Sequence, residues 1–132
     1  MGGRDAQPIL SLMSFPPQMQ VSPEEQAPYA PEAPDLSEVN ASSGPAVLDF
    51  GTNWCGHCQA AGPLVAQALV PHPAVHHLKV EDGPGKRLGR QFGVKLWPTL
   101  VFLRDGQEVC RLVRPARAAD VAQALERIDP RG

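Results

Sequence analysis

The stretch Trp54-Cys55-Gly56-His57-Cys58 constrains this chain more than any other. It follows an apolar run, Ala46-Val47-Leu48-Asp49-Phe50. It opens a segment reaching about Val70, in which Leu64, Val65, Ala68 and Leu69 recur at helical spacing. Two cysteines three apart at a helix start can face each other across one turn and form a reversible disulfide. Cysteine and histidine also ligate zinc, so the stretch alone leaves redox chemistry and metal binding open.

The remaining residues narrow that choice. Structural zinc sites take four ligands, usually as two spaced pairs; there is no second CxxC, and the one HxxxH spacing is His72–His76. His72, His76 and His77 cluster on a different segment and read as surface or strand residues, so no metal is expected. Three cysteines cannot all pair within one chain, which excludes a disulfide-stapled mini-protein and suits a reducing compartment with a catalytic pair. The 132 residues suffice for one domain with a core, and the net charge of −2 lacks the basic excess of a nucleic-acid binder.

No stretch approaches the length that spans a bilayer, so no membrane partner is expected. The N-terminal run Ile9-Leu10-Ser11-Leu12-Met13-Ser14-Phe15 is short, interrupted by serines and closed by Pro16-Pro17, a poor match to a signal peptide. The expected location is cytoplasmic, with a periplasmic or secreted one as the alternative if this segment acts in targeting.

Two parts are expected along the chain. Residues 1–30 carry Pro8, Pro16, Pro17, Pro23 and Pro28 among Gln, Ser and Glu, and read as a flexible tail or as an extended segment docked through Ile9, Leu12, Phe15 or Tyr29. Residues 31–132 read as the folded domain. A short helix spans about 34–42, and Ala46–Phe50 is a buried strand. The helix that begins at Cys55 contains Pro63, where a kink is expected. Val75–Glu81 is a strand with His77 and Lys79 on one face. A short helix covers about 86–92, Thr99–Leu103 is a strand, and Asp105-Gly106 is a hairpin signal leading into the return strand Glu108–Val113. Val121, Leu125 and Ile128 mark a final amphipathic helix. The order implies an α/β domain: a central mixed sheet, its parallel βαβ part joined to an antiparallel ββα part, with helices on both faces.

The chemistry of the cysteine pair follows from position. A thiolate attacks disulfides, and a helix N-terminus stabilises negative charge, so Cys55 is the expected nucleophile. Cys58, one turn further in, would be more buried and would resolve the mixed disulfide. His57 lies beside both sulfurs, where an imidazolium favours the reduced thiolate form and makes the disulfide a better oxidant. Cys110, on the return strand, reads as a small core hydrophobe, with redox sensing or dimer formation as the lesser role.

With strand, Trp-Cys-Gly-His-Cys and proline-bearing helix together, residues of about 45–129 resemble the thioredoxin superfamily. Asp49 lies six residues before Cys55, where thioredoxins carry a buried acid; Pro63 lies eight after it, at the family's kinking proline; Trp97-Pro98-Thr99 falls at its cis-proline. The resemblance implies the thioredoxin fold. It implies a cis Pro98 that covers the sulfurs and offers the Trp97 backbone to a substrate strand. It implies that Asp49, kept from water below Cys58, accepts that thiol's proton, and that Lys79 pairs with Asp49. The dipeptide Gly56-His57 is that of protein disulfide isomerases, whose couple lies near about −180 mV against about −270 mV for thioredoxin.

Three positions depart from the family pattern. Gly51 and Thr52 stand where thioredoxins have Trp and Ala, Trp97 is bulkier than the usual aliphatic, and Arg114-Pro115 replaces a glycine. The implied activity is reduction or exchange of protein disulfides by a Cys55–Cys58 dithiol. Trp54, Trp97 and Pro98 would meet the substrate, and Gly56 and His57 would tune the couple. No cofactor is expected in the domain; electrons would come from another dithiol or a reductase, and the chain would act as a monomer. The competing reading is a thioredoxin-fold interaction or chaperone-like module in which the CxxC is incidental.

Overall fold

The computed structural model describes residues 27–130. A capped turn of helix opens the domain: α1 (Leu36–Ala41) starts at Asp35, whose backbone N–H donates to the Glu38 carboxylate at 2.8 Å. Next come β1 (Pro45–Gly51) and α2 (Gly56–Leu69), with Pro63 inside the helix. Then follow β2 (His76–Glu81), α3 (Arg87–Gln91), β3 (Thr99–Arg104), β4 (Gln107–Val113) and α4 (Ala118–Ile128).

The four strands form one sheet in the order β2-β1-β3-β4. β1 pairs with β2 in parallel across the α2 crossover, and β1–β3 and β3–β4 are antiparallel. Alternation along the central strands sorts their residues to two faces. Val47, Leu100 and Phe102 pack under α2 and α4 against Val65, Ala68, Val121, Leu125 and Ile128. Ala46, Leu48, Phe50, Val101 and Leu103 pack on the opposite face against Val39 of α1 and Leu88 of α3. Helices thus cover both faces, which is the thioredoxin fold.

The register positions the functional end of the sheet. Phe50 pairs with Thr99, so the end of β1 that leads into Cys55 lies level with the start of β3 that follows Pro98. Residues 49 apart in sequence meet there. A bulge between Phe102 and Leu103 shifts the β3–β4 register, which alternation alone did not signal.

Residues 27–30 bear on one expectation and His72 on another. Of the segment 1–30, residues 27–30 are described, and they end in extended backbone on the domain: Ala30 forms a parallel bridge with Val80, and Tyr29 is buried. Ile9, Leu12 and Phe15 lie outside the described residues. His72, read as a surface or strand residue, lies in neither setting: it follows α2 and is 2% exposed. Its Nδ1 lies 2.9 Å from Asp129 and its Nε2 3.4 Å from Glu126, tying the chain after α2 to the end of α4. A buried imidazole requires polar partners, and α4 supplies them from more than fifty residues away. Cys110 is partly buried against the α2–α4 core, and burial pushes its thiol up.

Candidate active site

Cys55 is the N-cap of α2, in extended backbone conformation, and its sulfur accepts a hydrogen bond from the Cys58 N–H at 3.3 Å. The two thiols face each other across the first turn, both reduced and both buried, at 8% and 4% exposure. The Cys55 sulfur thus takes up one of the N–H groups that a helix start leaves unpaired. Burial, and then hydrogen-bonding with Cys55, push the Cys58 thiol up to about 11.

The rim of the site is aromatic. The Trp97–Pro98 peptide is cis, and Trp97 packs against the cluster of Cys55, Cys58 and Tyr29. Its indole N–H donates to Asp82 at 2.9 Å, and its carbonyl accepts from Arg114 Nε at 2.8 Å. Trp54, 74% exposed, meets Trp97 edge to face at a centroid distance of 5.7 Å. Gly56 and His57 are exposed beside the sulfurs.

Behind the sulfurs lies a buried polar network. Asp49 is 4% exposed and both its oxygens are engaged: the Tyr29 hydroxyl donates to Oδ1 at 2.8 Å, and His77 Nε2 lies 2.9 Å from Oδ2. The expected Asp49–Lys79 pair is therefore corrected. Lys79 is the register partner of Asp49 on β2, yet its ammonium lies over the Tyr29 ring at 4.6 Å from the centroid. Strand side chains lean along the strand, so His77, one step back on the same face, reaches the carboxylate diagonally.

Tyr29 and His77 are the two residues that sequence reading missed. Tyr29 belonged to a proline-rich stretch with no periodic pattern, and His77 looked like a strand histidine. The sequence marks Tyr29 only as a docking residue of the tail, and the small Gly51 is the signal that its ring reaches the site. A β-carbon on Gly51 would lie 2.5 Å from Cys58 Sγ and 2.9 Å from the Tyr29 hydroxyl, so the phenol occupies space that a larger residue would claim. A cavity of about 530 Å³, lined by Tyr29, Thr52, Asn53, Cys58, Pro63 and Lys79, opens beside this network. Among the described residues no cluster of His, Cys, Asp and Glu is arranged to hold a metal ion.

A reduced cysteine pair at a helix N-terminus, on this fold, defines a thiol–disulfide oxidoreductase. The chain belongs to the thioredoxin family: the family model for thioredoxin matches residues 35–127. Thioredoxin 2 of Pseudomonas aeruginosa in its reduced form is 55% identical, with a TM-score of 0.73 over 81% of this chain and 99% of that one. Thioredoxin H-type 1 of Nicotiana tabacum is 39% identical over 51% of this chain and 53% of its own length, about half of each. Protein disulfide-isomerase A2 of Pongo abelii is 34% identical over 78% of this chain, which corresponds to 24% of that longer protein. Among the described residues no helix is long and apolar enough to cross a membrane.

Proposed function

We propose that the protein reduces or exchanges disulfides of protein substrates through Cys55 and Cys58. The Cys55 thiolate attacks one sulfur of a substrate disulfide and forms a mixed disulfide, and the other substrate sulfur leaves as a thiolate. Cys58 loses its proton to Asp49 and attacks Cys55 Sγ. The Cys55–Cys58 disulfide forms and the second substrate sulfur is released. A reductase or a second dithiol returns two electrons and two protons; the domain itself needs no cofactor. The observation that carries this reading is the Cys58 N–H to Cys55 Sγ hydrogen bond at the start of α2. Trp54, Trp97 and the cis Pro98 form the rim where substrate would lie, with Arg114 adding positive charge.

The couple is set by Gly56-His57 and lies above that of a Gly-Pro variant, because an imidazolium beside the sulfurs favours the reduced form. The chemistry needs no second copy of the chain, and the cysteine usage supports a reducing compartment such as the cytoplasm.

Insulin reduction tests the activity: wild type turns over, Cys55→Ser does not, and equal negligible turnover by both would favour a binding module instead. Equilibration with glutathione tests the tuning. His57→Pro should be more reducing by tens of millivolts, where about 30 mV corresponds to 1.4 kcal/mol. A more oxidising variant would refute the role of His57.

A further inference from the structure

The resolving step contains a problem of distance and charge. Cys58 must become a thiolate while buried, and Asp49, on the neighbouring strand, has its near oxygen bonded to another group. That group is the Tyr29 hydroxyl, 2.8 Å from Asp49 Oδ1. Cys58 Sγ and the same hydroxyl both crowd the point above Gly51 where a β-carbon would sit. Tyr29, Cys55 and Cys58 form one buried cluster. The phenol thus stands between sulfur and carboxylate, held by the Ala30 bridge to Val80 of β2 and by the Tyr29 backbone N–H, which donates to Asn53 Oδ1 at 2.8 Å. Thr52, the other hydroxyl nearby, has no hydrogen-bond partner among the described residues and bridges nothing.

We propose that Tyr29 is the catalytic relay that carries the Cys58 proton to Asp49 when the mixed disulfide is resolved. The proposal rests on the reading of Cys58 as resolving thiol and Asp49 as its acceptor. The Cys58 S–H bond breaks and its proton passes to the Tyr29 oxygen, while the Tyr29 O–H proton passes to Asp49 Oδ1. The freed electron pair on Cys58 forms the bond to Cys55 Sγ, and the substrate sulfur leaves with the pair from the bond that breaks. Tyr29 is neutral before and after.

The surroundings fit this role. Burial first, then the Asp49 charge, hold the Tyr29 hydroxyl far above the ordinary phenol range, so it passes a proton without itself becoming a phenolate. A backbone hydrogen bond from Thr52, and then the same hydroxyl, pull Cys58 downward against the effect of burial. The other ionisable groups facing the network are Cys55 on α2 and His77 and Lys79 on β2. His77 backs the far oxygen of Asp49 and is partly exposed, at 21% of its side chain. Lys79 lies on the Tyr29 ring and fixes its position.

Rapid mixing of the reduced protein with excess dithiobis(nitrobenzoate) separates the steps. Attack by Cys55 releases the first coloured thiolate, and attack by Cys58 on the mixed disulfide releases the second. In Tyr29→Phe the first phase should stay within about twofold of wild type. The second should slow at least about tenfold near pH 7, the scale of a lost proton-transfer group. The deficit should narrow as the pH rises to 10, where the thiol needs less help, and the substitution should add little in an Asp49→Asn background. An unchanged second phase, a deficit equal at every pH, a full further loss on Asp49→Asn, or equal slowing of both phases would overturn the relay. Absence of both phases in wild type would instead sink the dithiol reading itself.

Discussion

At Gly51 the missing side chain is what lets a hydroxyl from the N-terminal segment approach the resolving cysteine. A methyl group there would press on the sulfur and on the phenol ring at once. Gly51→Ala should therefore cost about 1–3 kcal/mol of stability in urea unfolding, the range for overpacking a core, and should slow the second phase of the reagent assay. A neutral effect on both would show that the pocket yields. The cysteines themselves differ in a way that labelling can read. Cys58 is pushed up to about 11, so it is a neutral thiol at pH 7 and gains reactivity only as the pH rises toward that value. Iodoacetamide at pH 7 should modify Cys55 and spare Cys58, with Cys58 labelling rising through pH 9–10; equal labelling at pH 7 would contradict the burial argument. Trp54, Gly56 and His57 could be identified from their spacing to the cysteines because one helical turn decides where they lie. The partner of Asp49 could not, since Lys79 and His77 share a strand face and only the reach of each side chain chooses between them.

At the level of elements, the β3–β4 hairpin carries its instructions locally. Asp105 and Gly106 both have positive φ, 52° and 80°, the conformation that a two-residue hairpin turn demands. The turn is also anchored elsewhere: Asp105 exchanges hydrogen bonds with Gly44 ahead of β1, and Gly106 lies against the Asn40 carbonyl at the end of α1. Gly106→Ala should cost about 2 kcal/mol or more from strain plus contact. Gly106→Asn should cost nearly as much, because asparagine relieves the backbone strain but not the contact. A nearly neutral Asn variant, measured by denaturant midpoint, would show that φ alone matters. The strands and helices were legible in sequence to within one or two residues, since each has its own apolar period and its own Gly or Pro boundary. His72 was not: a histidine between two prolines looks like loop, and only the packing of α4 against α2 buries it and supplies Asp129.

The whole molecule adds to the thioredoxin domain a preceding segment that contributes to the active site. Removal of residues 1–30 takes away the Ala30 bridge to Val80 and the Tyr29 ring that fills the space over Gly51. The truncated chain should lose about 3 kcal/mol, the scale for deleting a buried aromatic side chain. It should also show the slow second phase of Tyr29→Phe. A truncated protein with wild-type stability and phases would show that the segment is dispensable. The sequence by itself determined the dithiol, its place at a helix start, and the order of strands and helices, because these are written in short-range spacing and periodicity; the Trp97-Pro98 rim was expected only through the family resemblance. Only the tertiary structure decided what stands behind the sulfurs. Tyr29 reaches Asp49 across twenty residues and His77 across twenty-eight. Such contacts depend on strand register, side-chain reach and the space left by one glycine.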